Sequence, residues 1–207
     1  FHIRTVRVLV RTIWLSFWVT VSCAVVAIPL AWLTTRTDLP LRRMWAVLTP
    51  LPLVIPSYVG AYLIVTALGP RGILQQLLSP LGVHRLPEIY GFPGALLVLT
   101  LLSYPYLLLN LRAVLLRIDP DLEDASRSLG YGPWSTFRRI TLPQLRPALA
   151  AGGILVALYV LRDFGAVSLL RYETFSWSIF LQYEGFNRGL AAVQSLILVL
   201  KKVLPLM

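Results

Sequence analysis

The chain has 207 residues, of which 57% are apolar and 14% are charged, and its mean hydropathy is +0.73. These values exclude an ordinary soluble domain and indicate a membrane protein. The net charge of +10 does not indicate nucleic-acid binding, because the basic residues are spread between apolar runs rather than clustered on one soluble face. Such a spread is typical of loops that flank membrane spans.

Five apolar runs follow one another along the chain. A bilayer core is about 30 Å thick and takes about 20 helical residues to cross. The fourth run is interrupted by Arg162-Asp163, and the fifth is short and is followed by Lys201-Lys202. We therefore predict an all-α fold, a polytopic membrane helical bundle of about five transmembrane helices. The runs are Thr12–Thr35, Met44–Pro70, Ile89–Leu111, Ala148–Leu161 continued by Phe164–Leu170, and Gly189–Leu200.

The second and third runs contain residues that disturb a plain membrane helix. Pro50, Pro52 and Pro56 each remove a backbone donor and bend a helix. This pattern is typical either of a bent structural helix or of a broken helix that lines a transport path. Polar groups in hydrocarbon tend to face the bundle interior, although tyrosines also pack or mark the interface. The candidate path residues of these runs are Pro56, Tyr58, Tyr104 and Tyr106.

The one long polar segment runs from Asp119 to Pro143. Asp119 suits the N-cap of a helix, and Gly130 suits the left-handed position that ends one. Pro133 can begin a second short helix, which we expect Leu142-Pro143 to end. The segment is either an ordinary loop helix on the membrane surface or a docking element for a partner outside the membrane. A weakly apolar stripe is formed by Leu122, Ala125, Ser126 and Leu129.

Arg162-Asp163 places adjacent opposite charges near the end of the fourth run. Such a pair is typical either of a solvated interface or of a gate or path element.

The positions of the basic residues predict the orientation of the spans. Arginines follow the first run and fill the long polar segment, and lysines follow the fifth run. If these regions are cytoplasmic, the N-terminus lies outside and the C-terminus inside. The opposite regions, Gly69–Glu88 and Arg162–Arg188, carry fewer basic residues. Arg4, Arg7 and Arg11 do not fit this orientation, which an additional preceding helix would resolve.

The polar segment resembles the EAA loop of ABC-transporter permeases of the binding-protein-dependent importer class, the MetI-like permeases. That family's pattern is Glu-Ala-Ala, three residues, Gly, nine residues, then Ile-x-Leu-Pro. Here Asp124-Ala125-Ser126 stands at the triplet, and Gly130, Ile140, Leu142 and Pro143 follow at the family's spacing. Asp124 replaces Glu and Ser126 replaces the second Ala, which keeps charge and small size. The resemblance implies that these seven residues couple the chain to an ATPase.

The resemblance also implies a type I ABC importer permease core. Residues 1–207 would form a single transmembrane permease domain, a fragment or one half of a longer subunit, with residues 112–147 as its cytoplasmic coupling loop. The runs LPLVIPSYVGAYL and LRDFGAVSLLRYETF are similar to the ferric-iron branch, specifically to the first half of a fused, duplicated subunit. Arg162 departs from the small residue expected there. Related branches carry thiamine, polyamines, sulfate or phosphonates.

The sequence contains no Walker A pattern, because its only lysines are Lys201 and Lys202 and neither follows a glycine. We therefore expect no cofactor in this chain, with ATP and magnesium on a partner subunit. His2, His84 and Cys23 do not have the spacing of metal ligands. The acidic residues from Asp119 to Asp124 fit the first turn of a helix better than a cation site. The sequence has no arrangement of a nucleophile and a base that would predict an enzyme.

We expect a permease subunit of an ABC importer in the bacterial inner membrane that moves a small solute, in the first instance ferric iron, by alternating access. Its expected partners are ABC ATPase subunits, a second permease half or subunit, a periplasmic or lipoprotein substrate-binding protein, and membrane lipid. Two other classes stay open. One is an ion-driven secondary transporter in which Arg162-Asp163 is the coupling pair. The other is a non-transporting membrane scaffold whose loop recruits a soluble partner.

Overall fold

The computed structural model describes residues 2–70, 72–79, 88–184, 193 and 195–197. Across these residues the regular structure is helical, without a strand, and the predicted all-α class is confirmed. A 3₁₀ turn, Leu51–Val54, follows α2, and a π-helical turn, Phe137–Thr141, joins α7 to α8. The helices are α1 His2–Arg36, α2 Arg42–Leu48, α3 Ser57–Leu68, α4 Ile73–Leu78, α5 Phe92–Leu115, α6 Pro120–Ser128, α7 Pro133–Thr136, α8 Leu142–Arg162, α9 Gly165–Leu169 and α10 Phe175–Glu184.

In the described part of the chain, three helical segments are long and apolar enough to cross a membrane: Thr5–Arg36, Phe92–Leu115 and Pro133–Arg162. The count is four if Arg42–Val54 and Ser57–Leu78 are taken together as one broken span or re-entrant loop. These segments correspond to the first four predicted runs, and the prolines do break the second. The predicted fifth run, residues 189–200, lies outside the described residues except for 193 and 195–197.

α1 is apolar on both faces, as a membrane span requires. Leu15, Val19 and Cys23 are fully buried on its inner face. On the opposite face, 59% of Val10 and 68% of Val25 remain exposed. A soluble helix would carry polar residues there, so this exposed apolar face indicates contact with lipid.

The chain divides into two compact units. The first unit comprises residues 1–19, 55–102 and 157–207, and the second comprises residues 20–54 and 103–156. α1, α5 and α8 each contribute one part to each unit. The second unit contains the whole polar segment, and the first contains Arg162-Asp163.

Close helix packing in the second unit depends on Gly152 of α8. A Cβ atom at this position would stand 2.5 Å from Leu107 Cδ1 and 3.1 Å from Leu107 Cα. Glycine therefore lets α8 approach the backbone of α5, as small residues do in membrane helix pairs. Two α5 side chains bind the segment after α1: the Tyr104 hydroxyl donates to the Thr49 carbonyl at 2.6 Å, and Arg112 Nη1 donates to the Ala46 carbonyl at 2.9 Å.

In the first unit, the N-terminal part of α1 is joined to the start of α10 and to the segment that precedes it. Thr12 Oγ1 accepts a hydrogen bond from the Phe175 backbone N–H at 2.9 Å. Arg11 Nη1 lies 3.4 Å from Glu173 Oε2. The positive charge of Arg11, which did not fit the predicted orientation, is therefore paired with an acidic residue at this end of α1.

Candidate functional site

α6 is an ordered helix with a cap at each end. The Asp119 side chain accepts a hydrogen bond from the Asp121 backbone N–H at 3.0 Å, and a proline occupies the first turn. At the other end Gly130 has φ +85°, and its N–H donates to the Arg127 carbonyl at 2.9 Å. The predicted N-cap and the predicted left-handed glycine are both confirmed. These caps define the direction and length of α6 without help from a partner.

The inner face of α6 is polar rather than apolar. Ser126 is buried, and its hydroxyl lies 3.0 Å from the Thr136 hydroxyl at the end of α7. Among the predicted coupling residues, Ser126 departs from the family alanine, and the structure shows that this departure adds a hydrogen bond. The bond holds α6 against the helix that leads into α8.

Glu123 is the second buried residue on this face, and sequence reasoning did not single it out as a site residue. Its Oε1 accepts a hydrogen bond from the Thr141 hydroxyl at 3.1 Å and lies 3.8 Å from Arg36 Nε. The 3.8 Å separation is within range of an ion pair but too long for a hydrogen bond. The Arg36 side chain is only 13% exposed and that of Glu123 only 7%. We call Arg36, Glu123 and Thr141 the loop anchor.

The outer face of the segment carries exposed apolar side chains. Leu129 is 78% exposed, Trp134 is 74% exposed and Leu122 is 48% exposed. Asp124 is also exposed and lies 3.6 Å from Arg127. Three members of the predicted stripe, Leu122, Ala125 and Leu129, thus face outward, while Ser126 faces inward. An ordered segment that presents leucines and a tryptophan to its surroundings is a surface suited to a protein partner.

α7, the π-helical turn and α8 form one continuous helical segment, Pro133–Arg162. The expectation that Leu142-Pro143 ends the second short helix is therefore wrong. The Leu142 N–H donates to the Phe137 carbonyl, five residues earlier, so the helix widens just before Pro143. A widened turn is a common way for a helix to continue past a local disruption. Ile140 is half-buried within this turn, and Leu142 begins α8.

An apolar cavity of about 690 Å³ lies between the end of α1 and this continuous segment. Trp32 and Phe137 line it and pack edge to face with ring centroids 5.2 Å apart, and Leu142 also lines it. The base of α8 therefore does not fill the space beside α1.

The candidate path residues occupy different environments. In the second unit, Tyr104 is buried and bonded to the Thr49 carbonyl, while Tyr106 is half-buried. In the first unit, Pro56 is exposed at the N-cap of α3, and Tyr58 is 58% exposed. The Tyr104 hydroxyl thus has a structural partner.

Asp163 is buried just beyond the last candidate span, whereas Arg162 is exposed with its guanidinium 6.0 Å from the Tyr159 ring centroid. The Asp163 carboxylate accepts the Ala166 backbone N–H at 3.0 Å. Burial raises the pKa of Asp163, while hydrogen bonds from Ser57 and the start of α9 oppose this shift. Asp163 therefore fixes the start of α9 and its contact with α3.

In the first unit, the residues just after Gly69–Glu88 contact Arg162–Arg188, the other region predicted to lie opposite the polar segment. The Gly91 N–H donates to the Leu170 carbonyl at 2.6 Å. The Arg171 guanidinium lies 5.1 Å from the centroid of the Tyr90 ring. Across the residues that the structure describes, no group of three or more His, Cys, Asp or Glu side chains could hold a metal ion.

Comparison with protein families gives one match over residues 12–201, to the family described as "Binding-protein-dependent transport system inner membrane component". Among curated proteins, the chain is 33% identical over 199 residues to the Fe(3+)-transport system permease protein FbpB 2 of Haemophilus influenzae, covering 96% of this chain and 36% of that protein. It is 32% identical over 173 residues to the sulfate transport system permease protein CysW of Escherichia coli K12, covering 78% of this chain and 58% of that protein. It is 34% identical over 137 residues to the molybdenum transport system permease protein ModB of Escherichia coli K12, covering 66% of this chain and 58% of that protein. The chain thus spans between about a third and three-fifths of the length of these relatives.

Two solved structures share the fold. A chain of the MetNI methionine ABC transporter in inward-facing conformations matches with a TM-score of 0.71 and 19% identity, covering 96% of this chain and 89% of that chain. A chain of a bacterial alginate ABC transporter, in complex with an alginate pentasaccharide-bound periplasmic protein, matches with a TM-score of 0.77 and 18% identity, covering 96% of this chain and 74% of that chain.

Proposed function

This chain belongs to the family of inner membrane components of binding-protein-dependent transport systems, and we propose that it acts as a permease subunit, or as one half of such a subunit, of a bacterial ABC importer. Residues 1–207 form its transmembrane permease domain, and residues 112–147 form its cytoplasmic coupling loop. ATP and magnesium bind a separate ATPase subunit, and a substrate-binding protein delivers the cargo at the opposite face.

The observation that carries this proposal is the geometry of α6. The helix is capped at both ends, tied by its inner face to the base of α8, and exposed by its leucines on the outer face. A partner that binds the outer face moves α6 as a rigid element. The hydrogen bond between Ser126 and Thr136 transmits that movement to a helical segment long enough to cross the membrane. Asp124, Ala125, Gly130, Ile140, Leu142 and Pro143 complete this coupling element.

We propose ferric iron as the first candidate cargo. Support comes from the relative named for Fe(3+) transport, which matches 96% of this chain. Sulfate and molybdate are the second candidates, because relatives named for sulfate and molybdenum transport are 32% and 34% identical to this chain over shorter stretches. We propose Pro56, Tyr58, Tyr104, Tyr106, Arg162 and Asp163 as path residues.

The test is reconstitution of the full subunit with its cognate ATPase and binding protein in proteoliposomes. Uptake of radiolabelled ferric iron, sulfate and molybdate is measured with ATP and with a non-hydrolysable analogue. We expect that one of these cargoes is taken up and that its uptake requires both ATP hydrolysis and the binding protein. Uptake driven by an ion gradient without ATP would instead identify a secondary transporter, and no uptake of any solute together with stable partner binding would favour a scaffold.

A further inference from the structure

We propose that the loop anchor, Arg36, Glu123 and Thr141, transmits the movement of α6 to α1 and α5 as well as to α8. This inference rests on the proposed function, and it concerns residues outside the loop pattern of the family. Glu123 and Arg36 are positioning residues in this scheme, because they act on the path only through the helices that carry them.

Glu123 connects α6 to the base of α8. Its Oε1 accepts the Thr141 hydroxyl hydrogen bond at 3.1 Å, and Thr141 is the last residue of the π-helical turn. Ser126, one helical turn further along the same face, bonds Thr136. Two side-chain hydrogen bonds at neighbouring positions of α6 therefore prevent it from sliding or rolling on the segment that becomes α8.

Arg36 connects the same carboxylate to two other helices. Arg36 lies in the last turn of α1, and its Nη2 donates to the Leu115 carbonyl at 3.0 Å and to the Ile118 carbonyl at 2.7 Å. Leu115 is the last residue of α5, where carbonyl groups lack helical partners and attract positive charge. One guanidinium thus joins the ends of α1 and α5 to α6.

Burial makes this arrangement stiff. Exposed ion pairs are loose because water competes for both charges and the side chains stay mobile. In the loop anchor both side chains are nearly inaccessible, and each has further hydrogen-bonding partners. If α6 moved away from α1, Arg36 and Glu123 would each lose the opposite charge while staying in a poorly solvated site, which is unfavourable. The favourable course is for α1 and α5 to move with α6.

The test compares E123Q with E173Q in the reconstituted complex. E123Q removes the charge that faces Arg36 but keeps an oxygen that can accept from Thr141. E173Q makes the same change in the exposed pair between Arg11 and Glu173, whose side chains are 47% and 50% exposed. The measurement is cargo transported per ATP hydrolysed, with ferric iron, or with sulfate or molybdate where the wild type takes up one of these.

We expect E123Q to lower transport per ATP by at least about fivefold while the ATPase subunit still co-purifies, and E173Q to stay within about twofold of wild type. Unchanged transport per ATP in E123Q would overturn the inference, while wild-type uptake driven by ATP would still support the proposed function. If E123Q does not accumulate in the membrane, transport per ATP hydrolysed is measured in R36K instead. Lysine keeps the charge, but its single ammonium group cannot contact the two carbonyl groups and the Glu123 carboxylate together as the planar guanidinium does. Unchanged transport per ATP hydrolysed in R36K would therefore also overturn the inference.

Discussion

Replacing Gly130 by alanine tests whether the turn after α6 sets the position of the docking surface. Gly130 has φ +85°, and a Cβ atom there would meet no atom within 4 Å. The substitution therefore adds backbone strain without a steric clash. Gly132 is the matched control, because it also has open space around its Cβ position but has φ −68°.

The left-handed conformation costs a non-glycine residue about 1–2 kcal/mol. Both substitutions stiffen the unfolded chain to a similar extent, so the comparison of G130A with G132A isolates the strain. A cost of that size lowers the population of the native turn by about 5- to 30-fold relative to alternative turns. Asparagine tolerates this conformation better than alanine, so G130N should fall between the two.

The assay is transport per ATP hydrolysed in the reconstituted complex, with membrane insertion followed in parallel. We expect G130A to insert normally and to lose transport, and G132A to keep both. Equal transport by G130A and G132A would refute the reasoning, because it would show that the native turn is not needed for coupling.

Two further pairs of variants test the packing inside each of the two units, and thermal unfolding of the purified complex is the measurement. D163A leaves the Ala166 N–H without its acceptor and should lower the free energy of unfolding by about 1–3 kcal/mol. D163N keeps the acceptor oxygen and should have a smaller effect. A D163N defect as large as that of D163A would show that the charge itself is needed. G152A places a methyl group 2.5 Å from Leu107 Cδ1 and should cost about 1–3 kcal/mol. G153A meets its nearest side chain at 3.4 Å and should change stability little, so equal midpoints for the two glycine variants would contradict the close approach of α8 to α5.

The parts of the site that the sequence predicts well are those set by neighbouring residues. Asp119 caps α6, Gly130 ends it in the left-handed conformation, and Pro133 begins α7. Each of these depends on local backbone chemistry, which a single stretch of sequence contains. The apolar runs predict the spans for a similar reason, since length and hydropathy are sufficient.

Contacts between distant segments could not be predicted in the same way. Arg36 and Glu123 lie at the ends of separate elements, and a charged residue at either position reads equally well as a solvated side chain. At Leu142-Pro143, by contrast, a local signal wrongly predicts the end of a helix. Proline does not by itself end a membrane helix, since Pro105 lies inside α5. Before Pro143, the widened turn at Phe137–Thr141 lets the helix continue.

The spacing predicts one weakly apolar stripe on α6, but in the structure three of its residues face outward and Ser126 faces inward. In a soluble protein the leucines would face inward and the charged residues outward. Here Glu123 and Ser126 face inward because hydroxyl groups and Arg36 offer them partners, and Leu129 is left exposed. Such an inversion is expected where the exposed face serves a partner protein.

Cross-linking from Leu129 tests most directly whether the outer face of α6 binds an ATPase subunit. Leu129→Cys is introduced at a side chain that is 78% exposed, and native Cys23 is buried. Membranes that contain the cognate ATPase and binding protein are treated with a reagent that links thiols to amines, with Glu173→Cys as the control. We predict that Leu129→Cys is linked to the ATPase subunit and that Glu173→Cys is not. A link to the ATPase from Glu173→Cys, with none from Leu129→Cys, would contradict the account.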